Sequence, residues 1–200
     1  MALHLRYGWF GSSEFPTVVS FESLDSVFHD YQSAFSSKVY GMENDEHDLL
    51  MDAFGITPEL KREHRQYWGR ELGLCWQRLV TQACQAHPSF QPALKRGSDE
   101  PCDLVLGRFA IDTKYRIGSG DSGTLKKFKA YARLLKEEGF TPVLLILRED
   151  NLPAAIQACK DWEVLTGGDS LAFLKAYAGV DLGAYLQQCR GRFAINRAAI

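Results

Sequence analysis

The apolar positions of this chain change their period several times, and each change predicts an element. Phe21, Leu24, Val27, Phe28, Tyr31 and Phe35 recur at the spacing of one helix face, and Leu49, Leu50, Ala53 and Phe54 predict a shorter helix stopped by Gly55. The helical period lasts longest from residue 58 to about 86, where Trp68, Leu72, Cys75, Trp76, Leu79 and Ala83 make the stripe of one long helix. Residues 87 to 100 are rich in Pro, Gly, Ser and charge, without periodicity, and read as a connection. An alternating stretch follows, Asp103 to Lys114, broken only by Gly107-Arg108, with its second arm extending to Ile117. After a glycine- and serine-rich loop, Leu125, Phe128, Ala132 and Leu135 mark the buried side of another helix. Val143 to Leu147, behind Pro142, is the continuous apolar run of a strand buried on both faces. A helix over residues 152 to 160, a short strand over 163 to 165 and helices over 170 to 178 and 181 to 189 complete the pattern, with no internal repeat.

The alternating stretch carries the chemistry. A two-residue turn at Gly107-Arg108, with glycine supplying the positive φ of a type II′ hairpin, sets Leu104 against Ile111 and Asp103 against Asp112. Alternation then puts Asp103, Val105, Ala110, Asp112 and Lys114 on one face, and Leu104, Leu106, Phe109 and Ile111 on the other, which predicts one core face and one chemical face. Opposed like charges destabilise a sheet by up to roughly 1 kcal/mol, and ionising both is costly. A divalent cation with a preference for hard oxygen, magnesium above all, offsets that. Lys114 lies about 7 Å further along the same face, within reach of a water on such an ion. Glu59-Leu60-Lys61 matches the same acid-x-Lys pattern, but it follows the helix-start signal Thr57-Pro58 and is assigned to a helix.

Composition narrows the setting. Two hundred residues, 46% hydrophobic, suffice for one domain with a real core, and the net charge of -2 provides no global attraction to a polyanion, so such binding needs local clusters. Five cysteines, odd in number and without a C-x-x-C pair, fit a reducing cytoplasmic setting. No leader pattern and no apolar stretch of membrane-spanning length is present, so the expectation is a soluble protein with no membrane partner. The five histidines lack zinc-ligand spacing, and there is no G-x-S-x-G elbow for a serine hydrolase.

The order of helix, hairpin with Asp and then Asp-Thr-Lys, helix, buried strand, helix and strand resembles the PD-(D/E)xK nuclease superfamily. The matching residues are Pro101-Cys102-Asp103, where a cysteine separates the usual pair, and Asp112-Thr113-Lys114; the resemblance covers roughly residues 58 to 166. Within the superfamily the chain looks most like a type II restriction endonuclease. The resemblance implies an α/β fold with a mixed central sheet flanked by helices. Residues 1–57 are then a helical N-terminal addition, 58–166 the catalytic core and 167–200 C-terminal helices, all within a single nuclease domain. It further implies that Asp103, Asp112 and the Thr113 backbone carbonyl hold Mg2+ while Lys114 orients or activates the attacking water, giving 5′-phosphate and 3′-hydroxyl ends on DNA.

Such families often add an acid from the preceding helix. Glu71 lies at the border of the apolar stripe, whereas Gln77 points to the opposite side, so Glu71 is the expected contributor, with Glu100 a third possibility. For double-stranded DNA the expected contacts are Arg116, Ser119, Ser122, Thr124, and the basic stripe Lys126, Lys129 and Arg133. A palindromic site would be matched by a homodimer. Two other readings stay open: a Holliday-junction resolvase or DNA-repair nuclease of the same fold, and a dinucleotide-binding protein using Gly118-x-Gly120-x-x-Gly123.

Overall fold

Side-chain capping sets the first element. In the computed structural model, which describes residues 47–118 and 122–195 together with Gln32, Asp48 accepts hydrogen bonds from the Leu50 and Met51 N–H groups at 3.0 Å, and Gly55 at φ 64° ends helix α1 (Leu49–Phe54). The chain divides into two units, Met1–Lys38 and Val39–Ile200. The helix expected from Phe21 to Phe35 lies outside the described residues, apart from the helical Gln32. The second unit includes α1, whose Leu50 and Met51 belong to the same core as the sheet.

The long helix is broken. Pro58–Glu63 forms α2 and Arg65–Cys84 forms α3, separated by His64 at φ -138°, ψ 58°. No glycine or proline stands at the break. Lys61 in α2 is buried and its Nζ donates to the Tyr115 hydroxyl at 2.7 Å, so a tertiary contact holds α2 on its own course. Glu59-Leu-Lys61 is helical, as expected. The connection after α3 is not wholly irregular either: Phe90–Pro92 is an edge strand, β1, too short to show a period.

The remaining elements are β2 (Leu104–Leu106), β3 (Phe109–Lys114), α4 (Ser122–Glu137), β4 (Thr141–Ile146), α5 (Pro153–Ala158), β5 (Glu163–Thr166), α6 (Gly168–Tyr177) and α7 (Leu182–Gln188). The sheet runs β1-β2-β3-β4-β5, antiparallel through the hairpin and parallel from β3 to β5. This is an α/β fold with a five-stranded mixed sheet. Gly107 has φ 59° and no described non-glycine residue has positive φ, which selects type II′ over I′. The expected pairings Leu104↔Ile111, Val105↔Ala110 and Leu106↔Phe109 are all present. Beyond Lys114 the ladder gives way to single contacts, from Leu147 N–H to the Lys114 carbonyl and from Leu152 N–H to the Ile117 carbonyl.

Both faces of the hairpin are core, which corrects the expected division into one apolar and one chemical face. Leu104, Leu106, Phe109 and Ile111 pack with Leu72, Trp76 and Val80 of α3 and Phe173 and Leu174 of α6. Val105 and Ala110 pack with Phe128, Ala132 and Leu135 of α4 and Ala155 of α5. Polar character begins only at Asp112, where β3 emerges from beneath α4. In β4, Val143 and Leu145 join the first cluster and Leu144 and Ile146 the second, as expected of a strand covered on both sides. Among the described residues no helix is long and apolar enough to cross a membrane.

Candidate active site

Asp112 and Lys114 project from the end of β3, and Asp103 stands one residue before β2. The regular ladder ends there: the Asp103 N–H donates to the Ile111 carbonyl at 2.8 Å, and its side chain turns toward Thr113. Asp103 Oδ2 accepts from the Thr113 N–H at 2.7 Å and from the Thr113 hydroxyl at 2.5 Å. The same N–H also reaches Asp112 Oδ1 at 3.1 Å. The two carboxylates therefore share one backbone donor instead of facing each other across a flat ladder. Lys114 Nζ donates to Asp112 Oδ1 at 2.8 Å and to the Thr113 carbonyl at 3.0 Å, and lies 5.7 Å from the Phe128 ring centroid.

Burial pushes the Asp112 carboxyl up to about 7; the Lys114 ammonium opposes this, and the charge and hydrogen bond of Asp103 add to the rise. Asp103 accepts three hydrogen bonds, from the Thr113 N–H, the Thr113 hydroxyl and the Gln77 amide. Cys102, between Pro101 and Asp103, is buried, and its thiol is pushed up to about 11 by desolvation first and by the nearby aspartates after that. That protonated thiol is a packing group here, not a nucleophile.

Gln77 is the residue that α3 contributes, and the expectation for Glu71 is corrected. Gln77 Nε2 donates to Asp103 Oδ1 at 2.6 Å. Glu71 pairs with its neighbour Arg70 at 2.9 Å and lines a separate pocket with Phe54, Trp68 and Ile195. The physical reason is that the hairpin end wraps past the rim of α3, so the side chain 100° beyond the buried Trp76 meets Asp103. Glu100 lies 3.7 Å from Lys95 on the surface and does not join the site. For the nuclease activity expected from the sequence, Gln77→Ala, which removes a donor that orients Asp103 without touching the reacting atoms, should lower cleavage by roughly 10- to 100-fold. KM for DNA should change little, and steady-state kinetics on a single-site substrate would show a loss confined to KM if the amide instead contacts DNA.

Just past Lys114 a buried network anchors the strand end. The Tyr115 hydroxyl donates to Asp48 and accepts from Lys61; Arg148 Nη1 reaches Asp48 at 3.0 Å and its Nε reaches Asp150 at 2.7 Å. Arg116 is engaged there too, its Nε 2.9 Å from the Asp150 carbonyl and 3.1 Å from its carboxylate, so it is structurally committed to that acid. Desolvation and the Asp48 charge raise the Tyr115 phenol well above its usual range.

Of the expected DNA contacts, Lys126 and Lys129 are exposed on α4, while Arg133 pairs with Glu137 at 2.7 Å and Lys136, on the same stripe, with Asp161 at 3.6 Å. Ser122 opens α4 and Thr124 is exposed; Ser119 lies outside the described residues. On another flank of α4, Tyr131 donates to Asp99 at 2.8 Å, and desolvation and that hydrogen bond raise its phenol.

The donors suit a hard cation. Asp112 Oδ1 and the Thr113 carbonyl already converge on a positive charge, that of Lys114, with the Asp103 carboxylate beside them. Among the described residues no group of three or more His, Cys, Asp or Glu side chains forms a cage, so two carboxylates and a carbonyl, with water, would make the shell. Gly120 of the glycine motif lies outside the described residues, and the sheet follows sequence order without the reversal that opens a dinucleotide crevice. No family model, no curated protein and no solved structure matches this chain.

Proposed function

We propose that the chain is a magnesium-dependent endonuclease of the PD-(D/E)xK kind, cutting double-stranded DNA at specific sites as a type II restriction enzyme does. One observation carries the reading. Asp103, on the other arm of the hairpin, meets Asp112 and Lys114 at Thr113, with both carboxylates on the Thr113 N–H and the ammonium on its carbonyl.

Asp103, Asp112 and the Thr113 carbonyl would hold Mg2+, which when bound neutralises charge developing on the phosphoryl oxygens and acidifies a water. Lys114, on the same face as Asp112, orients the attacking water and stabilises it as it loses its proton. Asp112 must be ionised to serve; burial raises its carboxyl in the metal-free site, and the charge of a bound divalent ion would draw it down again. Gln77 and the Thr113 hydroxyl hold the Asp103 carboxylate in one orientation, which limits the reorganisation required at the reacting centre. A homodimer would present two such sites to a palindrome.

Purified protein is incubated with mixed plasmid and phage DNA, with magnesium or EDTA, beside Asp112→Ala and Lys114→Ala. Discrete fragments bearing 5′-phosphates, dependent on magnesium and lost in both variants, are expected. Cleavage restricted to branched DNA would reassign the substrate to a junction resolvase. Absence of cleavage on unmethylated linear and branched DNA by folded protein would overturn the nuclease reading.

A further inference from the structure

The Lys114 ammonium stands on the oxygens assigned above to the divalent ion. It is 2.8 Å from Asp112 Oδ1 and 3.0 Å from the Thr113 carbonyl oxygen. Those two oxygens belong to adjacent residues and form a single small chelate. Magnesium needs them at about 2.0–2.1 Å, and an ammonium left at hydrogen-bond distance from the same atoms would repel it strongly in a partly buried site. One position cannot hold both charges.

Building on the nuclease reading, we propose that Lys114 is the resident cation of this site, and that a divalent ion enters only by displacing Lys114 from these oxygens, a movement that a phosphate of the substrate favours. The neighbouring contacts support the assignment. Asp103 is already engaged by the Gln77 amide and by Thr113, leaving the Lys114 ammonium as the charged partner of Asp112. The Lys114 side chain is 35% exposed while Asp112 is 14% exposed, so the ammonium has an outward path and the carboxylate does not. Its nitrogen lies over the Phe128 ring, 5.7 Å from the centroid, so an aromatic face borders the position it now holds.

The consequence is thermodynamic coupling. DNA draws the ammonium away and thereby opens the metal position, and by reciprocity the ion strengthens DNA binding. The metal-free site avoids an uncompensated carboxylate pair without any ion, so the free enzyme carries little metal and is charged at the substrate.

The test is calorimetric titration of the full chain with MnCl2 alone, without DNA, for wild type, Lys114→Met and Lys160→Met. Methionine keeps an unbranched apolar side chain and removes the charge; Lys160, an exposed lysine after α5, controls for net charge. Lys114→Met is expected to bind Mn2+ roughly tenfold tighter or more, with Lys160→Met like wild type. Equal or weaker binding by Lys114→Met overturns the resident-cation assignment and leaves the nuclease reading intact if wild type cuts DNA with magnesium. Failure of every form to bind Mn2+, together with absence of cleavage, overturns both. A second measurement needs no variant: acetylation of Lys114 in wild type, followed by peptide mass spectrometry, should rise when Mn2+ is added, and an unchanged extent would count against displacement.

Discussion

Asp112→Asn is expected to abolish magnesium-dependent cleavage, by more than about 1000-fold, and to leave the metal-free protein more stable than wild type at pH 8. The two effects have one cause. Burial and the charge of Asp103 raise the Asp112 carboxyl to about 7, against an ordinary value of about 3.9. Between those values the folded state holds a proton that the unfolded chain has released, so the contribution of this group favours folding below about pH 4 and is lost as pH rises through 7. Asparagine keeps the shape, cannot ionise, and leaves that loss out. The Lys114 pairing at 2.8 Å opposes the burial of charge without cancelling it, so the direction of the change is a gain. Urea denaturation of both proteins at pH 5 and pH 8, beside plasmid cleavage, checks both halves. Cleavage at the wild-type rate would dismiss Asp112 from the chemistry. A variant less stable than wild type at pH 8 would mean that the Lys114 contact outweighs the burial of charge.

Trp76→Ala should cost about 3–5 kcal/mol, a large share of the roughly 5–15 kcal/mol by which a domain is stable, so folding at growth temperature is at risk. The indole is fully buried between α3 and the sheet, with Leu72, Val80, Ile111 and Leu145 in the same cluster, and its Nε1 donates to the Leu145 carbonyl at 3.1 Å near the end of β4. Truncation removes a large apolar volume and that hydrogen bond together. Trp76→Phe keeps a six-membered ring in the core and loses the smaller ring with its donor, at about 1–3 kcal/mol. Because Gln77 follows directly, the inserted ring also sets the rotation of α3 that aims the amide at Asp103. The Phe variant should therefore keep near-normal cleavage. Denaturation midpoints for the two variants would contradict this packing role if Ala and Phe cost the same.

Much of the hairpin is legible in the sequence alone. A glycine that alone tolerates positive φ, followed by one further turn residue, fixes the pairing, and Leu104↔Ile111 follows from counting. The side on which Asp103 ends up was not legible, because the ladder distorts at its last residue and counting assumes that it continues. Gln77 was missed for a related reason. Periodicity reports how far a side chain lies from the apolar stripe of its own helix, and says nothing about which strand end passes that flank. Cover on the second hairpin face was hidden because Val105 and Ala110, small and interspersed with charge, do not read as core until α4 is laid over them. The break at His64 answers to Lys61 finding Tyr115, 54 residues away, a contact that no local signal encodes.

The sheet's two kinds of pairing differ in how far apart in the chain their partners lie. Asp103 and Thr113 meet across ten residues, closed by a two-residue turn, whereas Asp112 finds Leu144 of β4 only after the whole of α4 has been laid down. Short loops close in microseconds or less, and long parallel crossovers form late because the chain entropy must be lost before contacts reward it. During folding, the acidic pair should thus assemble early and stand open to water until α4 covers the strand. A refolding chain would pass through a stage with the carboxylates in place but without their apolar cover, and in that stage Asp112 would titrate like an ordinary surface acid.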